Sequence, residues 1–244
     1  MLRLHMATPA ATTVFAAGPA SASAFTVNPT NLVLTPFSRS KHLTVKNESD
    51  QTLRFQLSAC TWAQSSGGAV ALGPTEDIVC HPDVLTLAPQ EERLIEVEAV
   101  AQFSLTQRSY RVFVEEVPRA GARRDRALQP LTKIGIPVFM QPMRASEDGK
   151  VEDIGLRNGV LTFSLGQTGN VQMLPQQVTV KGFNRVGVQV FEHHVNKWYV
   201  MPDHKRDFEI RIPTVACRTI TNLSVIVQMG ASAIEGRLDT AQTA

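Results

Sequence analysis

Apolar and polar residues alternate with a period of two along almost the whole chain. The runs are short: Thr26-Val27, Leu32 and Leu34, Leu43 and Val45, Leu53-Phe55-Leu57, Val84 to Leu87, Leu94 to Val97, Val112-Phe113-Val114 and Ile134-Ile136-Val138-Met140. Turn-forming clusters lie between them, at Asn47 to Asp50, Ser65 to Gly68, Gly73-Pro74 and Ala88-Pro89-Gln90. Short strands about ten residues apart, with turn chemistry between, predict an antiparallel sandwich. The pattern resumes after Met143, with Val160 to Leu165, Val178 to Val180, Val186 to Phe191, Trp198 to Met201, Phe208 to Ile212 and Leu223 to Val227. No helix of three turns with caps is legible. The expected fold is all-β, two β-sandwiches in tandem. Their join falls at Gln141-Pro142-Met143-Arg144, because proline has no N–H to give to a central ladder and ends the strand before it. The expected domains are therefore 25–142 and 143–244, each large enough for its own core. From Ala231 the alternation weakens, and Asp239 to Ala244 reads as a frayed tail.

Composition narrows the function classes. With 43% apolar and 19% charged residues, the 244-residue chain can bury sizeable cores and is not a disordered, solvating sequence. Its formal charge is 24 − 22 = +2. That leaves no global field to make nucleic acid the default partner. No run approaches the roughly 18 to 20 apolar residues of a membrane span, so direct membrane insertion is not expected. At the start, Arg3, the apolar stretch Ala10 to Ala17 and the small-x-small sequence Ala22-Ser23-Ala24 read as a signal peptide over 1–24, cleaved before Phe25. Three cysteines remain, Cys60, Cys80 and Cys217, with no Cys-x-x-Cys spacing for zinc or redox chemistry. In an oxidising compartment a Cys60–Cys80 disulfide would contribute up to roughly 3 kcal/mol. The alternative is three buried thiols.

Catalytic signatures are missing. The sequence has no G-x-S-x-G elbow, phosphate-cradling glycine loop or H-E-x-x-H, so neither an enzyme nor a cofactor is expected. His193-His194, with Glu192 and His204, do not read as metal ligands, since neighbours on a strand point to opposite faces. One charge run stands out: Arg119, Arg123, Arg124 and Arg126, opposed only by Asp125, in a segment with Pro118 and Gly121. Charge runs of this kind are usually solvated loops. Directly after it comes a long apolar series, Leu128, Leu131, Ile134, Ile136, Val138 and Met140, longer on one face than a sandwich core usually needs. A projecting apolar edge beside a basic loop points to strand addition to a partner.

These segments carry a resemblance. Ser109-Tyr110-Arg111-Val112-Phe113-Val114-Glu115-Glu116-Val117-Pro118 and Ile134-Gly135-Ile136-Pro137-Val138-Phe139-Met140-Gln141-Pro142 resemble the paired F and G strands in the first domain of periplasmic pilus chaperones of the chaperone–usher family, its archaic branch above all. Asn28-Pro29-Thr30-Asn31-Leu32 is similar to the family's first-strand motif, Pro82 to Pro89 with Glu92 to Val97 to its D and E strands, and Lys197-Trp198-Tyr199-Val200-Met201-Pro202 to the second domain's W-Y-x-x-P segment. The resemblance implies two immunoglobulin-like domains set at an angle, a periplasmic location, and partners that are pilin-like subunits and an outer-membrane usher. It also implies a G strand lent to the subunit, with Leu128, Leu131, Ile134, Ile136 and Val138 as donor side chains. Better-known members hold the subunit's terminal carboxylate with an Arg in the first strand and a Lys in the G strand. Asn31 and Pro137 stand at those places here, and the resemblance shifts the anchor role to Arg111 and Lys133. The rival reading is a secreted immunoglobulin-like adhesin or structural pilus subunit.

Overall fold

In the computed structural model, residues 25–65, 69–118, 131–196, 198–230 and 232–240 are described. The segment 1–24, the arginine run between Arg119 and Arg126, Leu128 and Lys197 lie outside them. The strands in chain order are β1 (Phe25–Asn28), β2 (Leu32–Leu34), β3 (Ser40–Asn47), β4 (Leu53–Gln64), β5 (Val70–Pro74), β6 (Ile78–His81), β7 (Val84–Leu87), β8 (Glu92–Ala99), β9 (Arg108–Glu116) and β10 (Lys133–Met140). After the join come β11 (Gly149–Arg157), β12 (Val160–Gln167), β13 (Gln177–Asn184), β14 (Gln189–Val195), β15 (Lys205–Arg211), the single-turn helix α1 (Thr214–Cys217), β16 (Ile220–Met229) and β17 (Ser232–Asp239).

Two sheets face each other on either side of the join. The first pair has the orders β1-β3-β8-β6 and β2-β10-β9-β4-β5, with β7 also pairing β4; the second has β11-β12-β15 and β14-β13-β16-β17. No sheet draws strands from both sides of the join among the described residues. Period-two alternation explains each core. In β9, Tyr110, Val112 and Val114 turn inward to meet Leu43, Val45, Phe55, Leu57, Ile95 and Val97. In the second sandwich Leu161, Phe163, Val178, Val180, Val225 and Val227 do the same. A smaller cluster of Trp62, Phe139 and Met201, flanked by Val33 and Tyr199, lies between the sandwiches. Hydrogen bonds reinforce that junction: Gln107 N–H donates to the Asn170 carbonyl at 2.9 Å, and the Asn170 side-chain amide donates to the carbonyls of Leu105 and Arg144 at 3.0 and 2.9 Å.

The described strands depart from the sequence reading in three places. Residues 232–239 form a full edge strand where the alternation reads as weakening, and of the expected tail Asp239 ends that strand while 241–244 lie outside the described residues. The strand's alternation is masked by Gly236, which faces the core where a Cβ would come within 2.7 Å of Val151 and Ile154. Trp198 to Met201 is not a strand, and only Val200 makes an isolated bridge, to Met173. Val186 and Val188 belong to the tip between β13 and β14, which begins only at Gln189.

The expected Cys60–Cys80 disulfide is absent, and Cys60, Cys80 and Cys217 are free. Residues opposite one another in an antiparallel pair share a face. Cys60 lies opposite Arg111, on the outer face of β4 with Trp62, while Cys80 is buried in the first sandwich's core. The two sulfurs point to opposite sides of β4's sheet. Burial pushes the Cys80 thiol up to about 12, with Asp83 adding to the shift, so it carries almost no thiolate at neutral pH. Unreduced, denatured protein is expected to take up alkylating label on all three cysteines, whereas Cys80 resists labelling in the native protein. Mass spectrometry checks this, and a mass short of two labels after denaturation would restore the bridge.

Candidate functional site: an open strand edge beside an aromatic cluster

The site begins with the two edges of β10. One edge pairs with β9 along its whole length, from Lys133 opposite Glu115 to Met140 opposite Arg108. The other pairs in parallel with β2 only at Val138, Phe139 and Met140, opposite Leu32, Val33 and Leu34. On this second edge Lys133 to Pro137 therefore has no strand partner among the described residues. Since Glu116 N–H donates to the Thr132 carbonyl, alternation turns the backbone groups of Ile134 and Ile136 to β9 and those of Lys133 and Gly135, with the Pro137 carbonyl, to the open edge, where an added strand would pair.

The faces of β10 decide which side chains are available. Even-numbered residues face the sandwich. Ile136 is only 3% exposed, and it, Val138 and Met140 are built into the first core, while Ile134 is half-buried against it. This corrects the expected donor series, because Ile136 and Val138 fill their own domain and cannot be lent without opening it. Leu131, at 48% exposure, and Ile134 at the start of the open edge remain available.

Odd-numbered residues form the outer face, where a row of rings and cations leads to the aromatic cluster between the sandwiches. Lys133 Nζ lies 4.6 Å from the Phe113 ring centroid and 2.7 Å from a Glu115 carboxylate oxygen. Gly135 is required beneath that ring, since a Cβ there would meet Phe113 at 2.9 Å. Next along β9, the Arg111 guanidinium stacks 4.4 Å over Trp62. Trp62 in turn meets Tyr199 edge-on at 5.5 Å and Phe139 at 6.0 Å, and Phe139 meets Tyr199 at 5.4 Å. Arg111 makes no ion pair among the described residues, and the buried Arg111 Nε and Trp62 Nε1 donors have no hydrogen-bond partner there.

Arg111 and Lys133 do not converge. Lys133 is opposite Glu115, four residues along β9 from Arg111, a separation of about 13 Å at the rise of a strand. Each cation is also turned to a different ring. Arg111 has no carboxylate partner among the described residues, whereas Lys133 is paired with Glu115, so the two do not form one carboxylate clamp. Asn31 is exposed just before β2 and brings no charge. The sequence reading missed Trp62, Phe113, Phe139 and Tyr199. For Phe113 and Phe139 the signal is the alternate phase of β9 and β10, and for Trp62 that of β4.

A family model described as the pili and flagellar-assembly chaperone, PapD N-terminal domain, matches residues 24–146. Among solved structures, the chain is similar to one from the CsuC–CsuE chaperone–tip adhesion subunit pre-assembly complex of the archaic Csu pili of Acinetobacter baumannii, at 12% identity, covering 88% of this chain and 98% of that one, with a TM-score of 0.60. A chain of the Salmonella enterica SafA pilin–SafB chaperone complex gives 13%, 89%, 98% and 0.57. The E. coli chaperone DraB gives 14%, 88%, 97% and 0.55. At such identities the likeness is one of fold. No curated protein matches the sequence.

The Trp62 cluster predicts a stability effect. Trp62→Ala removes the ring on which Arg111, Phe139 and Tyr199 pack, and should cost about 3 to 5 kcal/mol. Chemical denaturation of the variant beside the parent measures it, and a loss below about 1 kcal/mol would show that the cluster does not hold the junction.

Proposed function

Because the chain belongs to the pili and flagellar-assembly chaperones, we propose that it binds pilin-like subunits in the periplasm by lending them the open edge of β10, and that it passes them to an outer-membrane usher. The observation that carries this reading is the unpaired Lys133–Pro137 edge, with Leu131 exposed and Ile134 half-buried at its start. A subunit lacking a strand gains backbone pairing from the edge and apolar cover from those two side chains. The long first-domain core remains in place throughout, because Ile136, Val138 and Met140 never leave it. Secretion through a signal peptide cleaved before Phe25, and domain limits of 25–142 and 143–244, belong to the same proposal.

Arg111 is the proposed anchor for the subunit's terminal carboxylate. A guanidinium stacked on an indole and without a carboxylate of its own is desolvated on one face and open to an anion on the other. Lys133, already paired with Glu115, contributes at the surface instead.

Two expected outcomes follow from this division of roles. Arg111→Ala should lose one charge-assisted hydrogen-bonding group, about 1.5 to 3 kcal/mol or roughly ten- to hundredfold in subunit affinity, while Lys133→Ala costs about 0 to 1 kcal/mol. Titration of a purified subunit against both folded variants measures this, and equal losses would return the anchor to a two-cation clamp. In co-expression, Leu131→Asp should abolish recovery of the complex with the melting temperature of free protein unchanged, whereas Ile136→Asp should unfold the first sandwich. Normal recovery with Leu131→Asp would remove strand lending from this edge.

A further inference from the structure

The end of the second sandwich farthest from the join is made by three connections. They are the Asn158-Gly159 turn between β11 and β12, the tip at Asn184 to Val188 between β13 and β14, and residues 212–219, with α1, between β15 and β16. They meet at one end: Ile212 N–H donates to the Gly159 carbonyl at 2.8 Å, and Asn184 lies opposite Ile220.

Valines project from two of these connections. Val186 and Val215 are 81% and 83% exposed, and Val188 is 56% exposed. The tip that carries Val186 and Val188 is held in shape. The Asn184 side-chain oxygen accepts from the N–H groups of Val186 and Val188 at 3.1 and 2.9 Å, and Gly187 takes the positive φ of 82° that closes the turn. Burying these side chains in their own domain was not achieved, so they are held out against the hydrophobic effect.

Arginines surround them. Segments 156–160, 184–188 and 210–220 hold Arg157, Arg185, Arg211 and Arg218 and no Asp or Glu. Arg157 and Arg211 both lie opposite Val160, on one outward face. None of the four forms an ion pair among the described residues. The carboxylates at the margin of this end are Glu209, two residues before Arg211 on the same outward face and opposite Thr162, and Asp239, opposite Asn222 at the end of β17. A recess of about 230 Å³ opens between Arg211 and Arg218, with Asn158, Gly159, Thr214 and Cys217 on its walls.

We infer that this end of the protein docks on the surface of an anionic phospholipid bilayer, the valines entering the boundary of the acyl region and the arginines lying at the depth of the phosphates. Charge complementarity selects an anionic surface. The placement of the valines selects a bilayer over an acidic protein: they protrude from two separate connections, the β13–β14 tip and α1, which a fluid interface accommodates, whereas a protein partner needs a contiguous packed core. The contact is peripheral, since no helix of the described residues is long and apolar enough to cross a membrane. It weakens with salt, as exposed charges do.

The test is co-sedimentation of the purified chain with vesicles of phosphatidylethanolamine and phosphatidylglycerol, beside vesicles of phosphatidylcholine alone. Binding to the first and not the second is expected. Val186→Asp with Val188→Asp, and separately Arg185→Ser with Arg218→Ser, should each weaken it at least about tenfold. Both double variants should melt like the parent and still bind a subunit, which keeps this inference separate from strand lending. Failure to sediment with the anionic vesicles, as an acidic protein partner would produce, overturns the inference, as does equal binding to both vesicle types or unchanged binding by the variants.

Discussion

Every strand at the margin of a sheet leaves one row of backbone N–H and C=O groups without a protein partner, and a fold must cover that row, blunt it or use it. In this chain the constraint falls on β10. Its parallel contact with β2 covers only the last three residues, while Lys133 to Pro137 stays open on that edge among the described residues. The strand is nonetheless immobile, because Ile136, Val138 and Met140 are locked into the first core. A fixed, unpaired edge is a template whose register is already set, so a partner that docks on it gives up its own conformational freedom and not the chaperone's.

The outer face of the same strands adds a direction to that edge. From Lys133 the row runs through Phe113 and Arg111 to Trp62, Phe139 and Tyr199, where the two sandwiches meet. On the proposed function, a partner strand lying along β10 would be aimed at that junction, and its terminus would meet Arg111, which has no carboxylate partner among the described residues. The junction behind it is rigidified by uncharged hydrogen bonds from Gln107 and Asn170. Such bonds hold their strength in salt better than exposed ion pairs do.

Much of this was legible in the period of two. The runs at 43–45, 53–57, 94–97, 112–114 and 134–140 are all strands with inward-facing apolar residues, and the tandem sandwiches follow from their spacing. Alternation alone does not say whose core a face fills. Ile136 and Val138 read as projecting because the series was long, yet the facing sheet covers them and leaves only its start uncovered. The same blindness hid the functional face. Trp62 and Phe139 lie in the phase expected to meet solvent, and only the second sandwich, docking through Tyr199 and Met201, buries them. Gly236 removed the signal of β17 for the opposite reason, a core so close that no side chain fits. Arg111 and Lys133 are both visible in the sequence, but their separation along β9 depends on register, which pairing and not composition decides.

The central claim is that a subunit strand pairs with β10 at Lys133 to Pro137. Amide hydrogen–deuterium exchange of this stretch, in the free protein and in complex with a subunit, tests it most directly. In the free protein the N–H groups pointing away from β9 should exchange fast and those bonded to β9 slowly. In the complex both sets should become slow, while the amides of Val138 to Met140, already flanked by β2 and β9, change little. A stable complex in which the outward amides of Lys133 to Ile136 exchange as fast as before would contradict the account.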